Sequence, residues 1–297
     1  MTLISLLLVL MLESFFRISA ILEDALKYHK WFPNWFKWIR ARIKQSWFDD
    51  WPGIIIILGI PVVLLHLLYS AENGFLFLLF QLALSVVILV FCLGPIEQNK
   101  HLKEYFLAVE NGDLQSAYHH VEDYLDLKSG KYVPEDLSKL GRVVTRLILS
   151  QSNFRFFGVL VYFVLLGPVG ALMYRLACTF EFSIRDDVES PYRNNLILLR
   201  KILDWLPSRI TGFLYALAGD FTGAMAKLKK YLLVKNSDPE KLIQETGTGA
   251  LGIKKDRFQE TSAEIIEENK QAQSLISRSM VIFLVIIAMM TVFGWLS

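Results

Sequence analysis

The sequence has few cysteines and histidines and almost no excess of charge of one sign. Its 297 residues include two cysteines and five histidines, without an H-E-x-x-H pair. These counts exclude a disulfide scaffold and a cysteine-rich zinc module. The 31 Lys and Arg residues stand against 29 Asp and Glu residues, which gives a net charge of +2. Binding to nucleic acid is not expected, because neutralising phosphates needs a basic excess or patch.

Long apolar runs are what the sequence has in excess. Apolar residues make up 54% of the chain, whereas soluble domains have about 45–50%. Four runs approach the roughly 20 residues with which a helix crosses a bilayer. They cover 53–69, 75–93, 156–180 (interrupted at Gly167 and Pro168) and 280–296. Since no useful strand alternation occurs, the sequence predicts an all-α polytopic membrane protein with about four to six membrane helices.

The stretch 28–51 combines tryptophans with basic residues. It holds five of the seven tryptophans, and Trp31, Trp35 and Trp38 fall on one helical face. Because Trp favours the headgroup layer and Lys and Arg favour its cytoplasmic side, this pattern predicts an interfacial anchor. A regulatory lipid sensor is the alternative interpretation. The same charge rule predicts that 97–153 and 220–278 are cytoplasmic.

The chain is expected to consist of eight segments. They are a membrane or interfacial helix (1–22), a basic Trp-rich interfacial helix (23–52), a transmembrane hairpin (53–93), a cytoplasmic helical segment (94–155), a broken transmembrane helix (156–180), a core block with a short or re-entrant membrane-associated helix at 205–219 (181–220), a polar helical segment with a glycine-rich loop (221–278) and a C-terminal transmembrane helix (279–297). Asp113 is expected to cap a helix over 114–127, and Pro134 fits the first turn of the next helix.

Two short motifs invite a chemical interpretation that their spacing does not support. Thr246–Lys255 is not a phosphate-binding P-loop, because Ile253 separates the last glycine from Lys254 and no strand precedes it. A flexible loop or close helix packing is expected there instead. His119 and Asp123 share a helix face, but without a third ligand they predict a solvated surface rather than a metal site. No metal, cofactor or catalytic residue is predicted.

Charged residues in or beside the apolar runs are better candidates for a binding site. Buried charges near a membrane are expensive unless paired, so they tend to mark functional sites. The candidates are Glu13, Arg155, Arg175, Glu181, Asp204 and Arg209. For Arg155 and Arg175 the alternative is that their side chains extend from the helix ends to the interface.

Three stretches of the sequence resemble the AmpE family. They are 1–19, 152–176 and 203–228, and the combination of NFRF, a span with Gly-Pro, and LDW-x-P-x-R is fairly specific. AmpE proteins are bacterial inner-membrane proteins associated with the regulation of β-lactamase induction. The resemblance therefore implies a multi-pass protein of the bacterial inner membrane with a regulatory role.

The AmpE family belongs to a superfamily with the cobinamide-phosphate synthases, which join an amine to cobyric acid using ATP. Residues 167–175 resemble the enzymes' G-x-P-x-A-x-x-Y-[KR], 207–209 resemble P-A-R, and 245–253 resemble E-x-x-x-x-A-G-A-L-G-I. This resemblance adds Glu245 to the candidate ligand-binding residues. It also places Glu13 where the enzymes carry an early Asp.

The chain departs from the synthase pattern mainly at acidic positions. Arg200 and Lys201 stand where the enzymes have D-D. The stretches at 17–19, 150–156 and 178–182 depart from G-D-P, E-N-x-x-D-G and N-T-L-D-S. Because a ligase that uses ATP and Mg²⁺ needs carboxylates to hold the metal against the phosphates, these departures predict a non-catalytic relative.

Three functional hypotheses follow. The first is an inner-membrane regulator in β-lactamase induction or the cell-wall stress response, in which a ligand or partner shifts the helix bundle between two arrangements. The second is a divergent ATP-dependent membrane amide ligase, with Glu13, Glu181, Asp204 and Glu245 as its remaining acids. The third is a scaffold that recruits a cytoplasmic protein through 97–153. Expected partners are the lipid bilayer, such a protein, and a small molecule that is a cell-wall fragment, a nucleotide or a corrinoid.

Overall fold

The computed structural model describes residues 31–43, 46–70, 75–93, 98–125, 136–184, 191–232, 234, 237–253 and 261–294. Every regular element in this part of the chain is helical, which confirms the all-α prediction. In chain order the helices are α1 (Trp31–Arg42), α2 (Trp51–Ser70), α3 (Phe75–Leu93), α4 (Gln98–Glu110), α5 (Leu114–Leu125), α6 (Leu137–Ser152), α7 (Gly158–Ser183), α8 (Arg193–Ala218), α9 (Phe221–Leu232), α10 (Pro239–Ala250) and α11 (Ser262–Val292).

Three helical stretches are long and apolar enough to cross a membrane. They are Trp51–Tyr69, Leu137–Ser183 and Ser262–Val292, and Leu79–Leu93 adds a shorter apolar helix. The α2 side chains of Leu64, Leu67 and Leu68 are more than half exposed. Contiguous apolar surface of this kind is unfavourable in water and is expected where a helix faces lipid. The protein is therefore an α-helical membrane protein.

The predicted interruption of the third apolar run is present inside α7. Gly167 has φ 67° and ψ −158°, and Pro168 follows it within the helix. Glycine tolerates this conformation because it has no Cβ. Proline lacks the N–H that would continue the helical hydrogen bonds. The run therefore forms two helical pieces joined at a kink.

Residues 205–219 do not form a separate short or re-entrant helix. Most of them belong to the second half of α8, which runs without a break from Arg193 to Ala218 and carries Pro207 inside it. The sequence analysis began this helix at residue 205, whereas α8 begins at Arg193. The proline is instead accommodated within a long helix.

The polar segment that follows α3 agrees with the helix signals in the sequence. Asp113 Oδ1 accepts a hydrogen bond from the Ser116 N–H at 3.0 Å, which confirms the predicted cap of α5. Asp136 caps α6 in the same way by accepting from the Lys139 N–H at 2.6 Å. Pro134 lies outside the described residues.

The chain divides into two compact units. The first comprises 1–95, 154–204 and 287–297, and the second comprises 96–153 and 205–286. In the first unit, a buried aromatic cluster joins Phe36 of α1, Phe180 of α7 and Tyr192, with ring centroids 5.0 to 5.8 Å apart. The Tyr192 hydroxyl donates to the Phe48 carbonyl at 2.9 Å. Burial and the Asp49 carboxylate raise the pKa of Tyr192 to about 12, so this hydroxyl remains a donor at neutral pH.

The Trp-rich helix α1 is anchored to the first unit by Phe36 and Ile39, and Trp35 packs against the same core. Phe36 and Ile39 are buried in the core of that unit, whereas Trp38 is half exposed. The rings of Trp35 and Trp38 stack with centroids 5.7 Å apart, and the Arg42 guanidinium lies 4.5 Å from the Trp38 ring. The side chain of Trp31 lies outside the described part.

In the second unit the glycine-rich stretch is helical rather than a loop. Residues 246–250 form the end of α10, and Gly252, with φ 67°, follows the helix. A Cβ built on Gly249 would lie 2.7 Å from the Gly223 carbonyl oxygen of α9. The glycines therefore allow the backbones of α9 and α10 to approach closely. This confirms close helix packing, one of the two structures expected for 246–255, and corrects the glycine-rich loop expected within 221–278.

This close approach predicts the effect of a single methyl group. We expect Gly249→Ala to destabilise the protein by about 1–3 kcal/mol, because the atoms it meets belong to the backbone and cannot rotate away. Gly59→Ala is the matched control, since a Cβ there meets nothing within 4 Å. Thermal unfolding of the full chain in detergent measures both. Equal melting temperatures for the two variants would contradict the proposed packing.

Candidate functional site

Two of the candidate residues, Glu181 and Asp204, are brought together in the first unit by Arg200. The Arg200 Nε donates to Asp204 Oδ2 at 2.7 Å, and its Nη1 lies 3.6 Å from Glu181 Oε2. Arg200 and Asp204 are one turn apart on α8, whereas Glu181 comes from α7. We call Arg200, Glu181 and Asp204 the ion cluster. The sequence analysis treated Arg200 only as a departure from an acidic motif, so it missed the centre of this cluster.

The second oxygen of Asp204 is also occupied. The Tyr174 hydroxyl, fully buried on α7, donates to Asp204 Oδ1 at 2.5 Å. Tyr174 occupies space that Gly158 leaves open, since a Cβ on Gly158 would lie 2.3 Å from the tyrosine ring. Both carboxylate oxygens are thus engaged by protein donors, as a buried charge requires.

A second tyrosine compensates for the proline inside α8. Pro207 has no N–H, so the carbonyl of Leu203, four residues earlier, loses its helical donor. The Tyr162 hydroxyl donates to that carbonyl at 3.0 Å. The Tyr162 ring also stacks on Tyr174, with centroids 5.1 Å apart. The two tyrosines therefore bind consecutive residues of α8, the Leu203 backbone and the Asp204 side chain.

The remaining candidates in the first unit are Arg155, which shares an aromatic ring with Arg200, and Arg175, which follows Tyr174 in the sequence. Arg155 belongs to a π-helical turn, Asn153–Phe157, that joins α6 to α7. Its guanidinium lies 5.6 Å from the Phe154 ring centroid, and the Arg200 guanidinium lies 5.5 Å from the same ring. Arg175 follows Tyr174 on α7 and is half-buried. Glu13 lies outside the described residues.

The π-helical turn was not anticipated from the sequence. It coincides with the NFRF stretch that carries part of the family resemblance. In the second unit, Thr211 Oγ1 of α8 donates to Asn153 Oδ1 at 3.0 Å. The hydroxyls of Ser152 and Tyr215 are 2.6 Å apart. Such wide turns are uncommon and are frequent at functional sites.

Arg209, in the second unit, binds the end of a helix. Its Nη1 donates to the Trp205 carbonyl at 2.8 Å, and its Nη2 donates to the Tyr231 carbonyl at 3.3 Å and to Ser237 Oγ at 3.1 Å. Its guanidinium also lies 4.2 Å from the Trp205 ring. A cation there satisfies carbonyls at the C-terminus of α9, where the helix dipole is negative. These contacts explain why a charge is found inside an apolar run.

Glu245 is paired with a lysine that the sequence analysis did not single out. Lys227 Nζ of α9 lies 3.7 Å from Glu245 Oε2 and donates to Thr248 Oγ1 at 3.2 Å. Beside this pair is a cavity of about 350 Å³ in the second unit. Its walls are Arg142, Thr145, Arg146, Lys227, Thr248, Ile253 and Glu268. The spacing of Arg142 and Arg146, one turn apart on α6, was the only local signal for this cavity in the sequence.

The carboxylates of the described residues do not group as metal ligands. No set of three or more His, Cys, Asp or Glu side chains with suitable geometry occurs in the part of the chain that the structure describes. Glu181 and Asp204 contact Arg200, and Glu245 contacts Lys227. The chemistry that these sites offer is ion pairing and recognition of charged groups.

The apolar spans and the buried ion cluster define a polytopic α-helical membrane protein. A family model described as "Regulatory signalling modulator protein AmpE" matches residues 1–297. The chain therefore belongs to the AmpE family.

Two curated relatives link the chain to cobalamin biosynthesis proteins. The "Cobalamin biosynthesis protein CobD" of Chromobacterium violaceum is 26% identical over 188 residues, 59% of this chain and 56% of the relative. The "Probable cobalamin biosynthesis protein CobD" of Aeropyrum pernix is 34% identical over 99 residues, 31% of each chain. The chain thus spans 31% to 56% of these relatives' length. No solved structure matches it.

The ion cluster predicts a marked difference between two adjacent residues of α8. Arg200→Ala is expected to destabilise the protein by about 3 kcal/mol, because it leaves two largely buried carboxylates without their cation. Arg200→Lys should lose less stability, since it keeps the positive charge but not the planar guanidinium that can contact both carboxylates. Lys201→Ala, at an exposed position, should change stability by about 0.5 kcal/mol or less. Thermal unfolding in detergent measures all three, and an Arg200→Ala protein as stable as Lys201→Ala would contradict the pairing.

Proposed function

We propose that this protein is an inner-membrane regulator that acts in β-lactamase induction or the cell-wall stress response, and that it is a non-catalytic relative of the cobinamide-phosphate synthases. Membership of the AmpE family supports the regulatory role. The observation that carries the non-catalytic part is the engagement of Glu181 and Asp204 by Arg200.

In the ion cluster, carboxylates are bound by a guanidinium group, whereas the related ligase chemistry needs carboxylates that bind a metal ion. In the resemblance to the synthases, Arg200 and Lys201 occupy the positions of an acidic pair. An enzyme that uses Mg·ATP directs carboxylate oxygens at the metal ion. Here the guanidinium and Tyr174 take both oxygens of Asp204, at 2.7 and 2.5 Å. A metal ion would have to displace a positively charged side chain, so the cluster favours holding α7 to α8 over binding Mg²⁺.

In the regulatory mechanism that we propose, the two halves of α7 change their arrangement about the kink between them. The halves meet at Gly167 and Pro168, and the second half carries Tyr174 and Glu181, which bind residues of α8. A ligand or protein that favours one arrangement of these halves would shift the population of the bundle. A cytoplasmic protein bound to 97–153 would then detect that shift.

The role in induction can be tested in a bacterial host that carries this gene and an inducible β-lactamase. Deletion of the gene should change the ratio of induced to basal β-lactamase activity. The wild-type gene and Lys201→Ala should restore the ratio, whereas Arg200→Ala should not, because it loosens α8 from α7. Protein levels in the membrane are matched by immunoblot. Arg200→Lys should restore the ratio only in part. If deletion leaves both β-lactamase induction and wall-stress responses unchanged, the regulatory proposal is wrong.

The similarity to the CobD proteins favours a ligase as the second candidate. The full chain is therefore expressed in a strain that lacks its own cobinamide-phosphate synthase and is grown under conditions that require cobalamin. The non-catalytic proposal predicts no rescue, with a functional synthase as the positive control. Rescue that is lost in Asp204→Asn would establish the ligase instead.

A further inference from the structure

The cavity in the second unit presents more positive than negative side chains. Among the described residues, three cations line it, Arg142 and Arg146 from α6 and Lys227 from α9, together with the carboxylate of Glu268. Glu245, which is not in the lining, pairs with Lys227. Thr145 and Thr248 add hydroxyl groups. Its volume of about 350 Å³ falls in the range of small-molecule sites.

Close helix packing fixes the α6 and α11 walls of this cavity. A Cβ on Gly141 of α6 would lie 2.5 Å from the Ile265 side chain of α11, so the two helices touch at that point. Asn269, buried on α11, donates to the Gly141 carbonyl at 3.1 Å and to Thr145 Oγ1 at 2.6 Å. The wall that bears Arg142 is therefore held against the wall that bears Glu268.

The opposite wall is fixed by the glycine contact between α9 and α10. Gly223 and Gly249 bring these helices together, and Lys227 and Thr248 project from them into the cavity. Lys227 Nζ is oriented by Thr248 Oγ1 at 3.2 Å and Glu245 Oε2 at 3.7 Å. A preorganised cation loses less freedom when it binds an anion than a mobile one would.

Arg142 and Arg146 lie one turn apart on α6, so their guanidinium groups are neighbours on the helix surface. Arg142 is half-buried and Arg146 is exposed, so the cavity has both an inner and an outer cation. Guanidinium groups at this spacing can contact two oxygens of one phosphate or carboxylate group, or one oxygen from each of two such groups.

We propose that this cavity binds a small soluble molecule that carries phosphate or carboxylate groups together with a hydroxyl or amino group. Arg142, Arg146 and Lys227 would bind the anionic oxygens, and the Glu268 carboxylate would accept from the hydroxyl or amino group. This site is separate from the ion cluster, and its occupancy is measured by binding alone. The inference therefore stands or fails independently of the proposed role in β-lactamase induction.

The position of Glu268 favours a soluble ligand over a lipid headgroup. It lies in the polar first half of α11, well before the apolar run that begins near Met280. A lipid site would continue into an apolar channel for the acyl chains, whereas Ile253 is the one aliphatic side chain among the described residues that line this cavity.

The test is isothermal titration of the full chain in detergent, at constant ionic strength, with inorganic phosphate, citrate and tricarballylate. Tricarballylate has the three carboxylates of citrate but not its hydroxyl, so it isolates the contribution of Glu268. We expect saturable citrate binding with Kd of about 1 mM or tighter, and weaker binding of tricarballylate. Arg146→Gln should weaken citrate binding about tenfold by removing a charge-assisted hydrogen bond. Because Arg146 is exposed, this variant is expected to fold.

Two further variants distinguish binding in the cavity from nonspecific attraction of anions to the positive charges of the protein. Lys227→Gln should weaken citrate binding as Arg146→Gln does, whereas Lys230→Gln, an exposed position on the same helix, should leave Kd unchanged. Melting temperatures without ligand verify that each variant is folded. The proposal is overturned if none of the three anions saturates by about 10 mM, or if Lys230→Gln weakens binding as much as Arg146→Gln. It is also overturned if phosphatidylglycerol in mixed micelles binds through Arg146 while citrate does not, since the occupant would then be a lipid headgroup.

Discussion

The pairing of Arg200 with Asp204 determines much of the surrounding structure in the first unit. A carboxylate that is 8% exposed must have its charge and its lone pairs satisfied by the protein. Arg200 provides the charge, and Tyr174 provides the second donor. Tyr174 can reach Asp204 because Gly158 has no side chain to obstruct it. Gly158 begins α7 directly after the π-helical turn. The burial of Asp204 therefore depends on Tyr174 as a donor and on the absence of a side chain at Gly158.

Other residues that carry the resemblance to the synthases have packing and pairing roles in this structure. The stretch 245–253 is similar to a synthase motif, yet its glycines serve the contact between α9 and α10. Its acid, Glu245, pairs with Lys227. Likewise Arg209, in the segment that resembles P-A-R, binds the carbonyls that end α9. Helix packing and ion pairing account for the contacts of these side chains in the structure.

Features that depend on local sequence could be predicted, and those that depend on distant pairs could not. The apolar runs identified the membrane helices, Asp113 identified a helix cap, and Gly167 with Pro168 identified the break in α7. Arg209 remained a candidate ligand-binding residue because its partners lie 22 to 28 residues further along the chain. Arg142, Lys227 and Glu268 look like ordinary residues of polar helices, and only tertiary packing places them around one cavity.

The segment of α8 around Pro207 depends on a side-chain hydrogen bond for one of its backbone carbonyls. Pro207 removes one backbone hydrogen bond there, and the Tyr162 hydroxyl replaces the lost donor at 3.0 Å. A side-chain donor can leave without unwinding the helix, whereas a backbone donor cannot. The residues on either side are held by charged contacts, Asp204 by Arg200 and Arg209 by the Tyr231 carbonyl. The helix therefore continues through Pro207 because a side chain supplies the hydrogen bond that the proline removes.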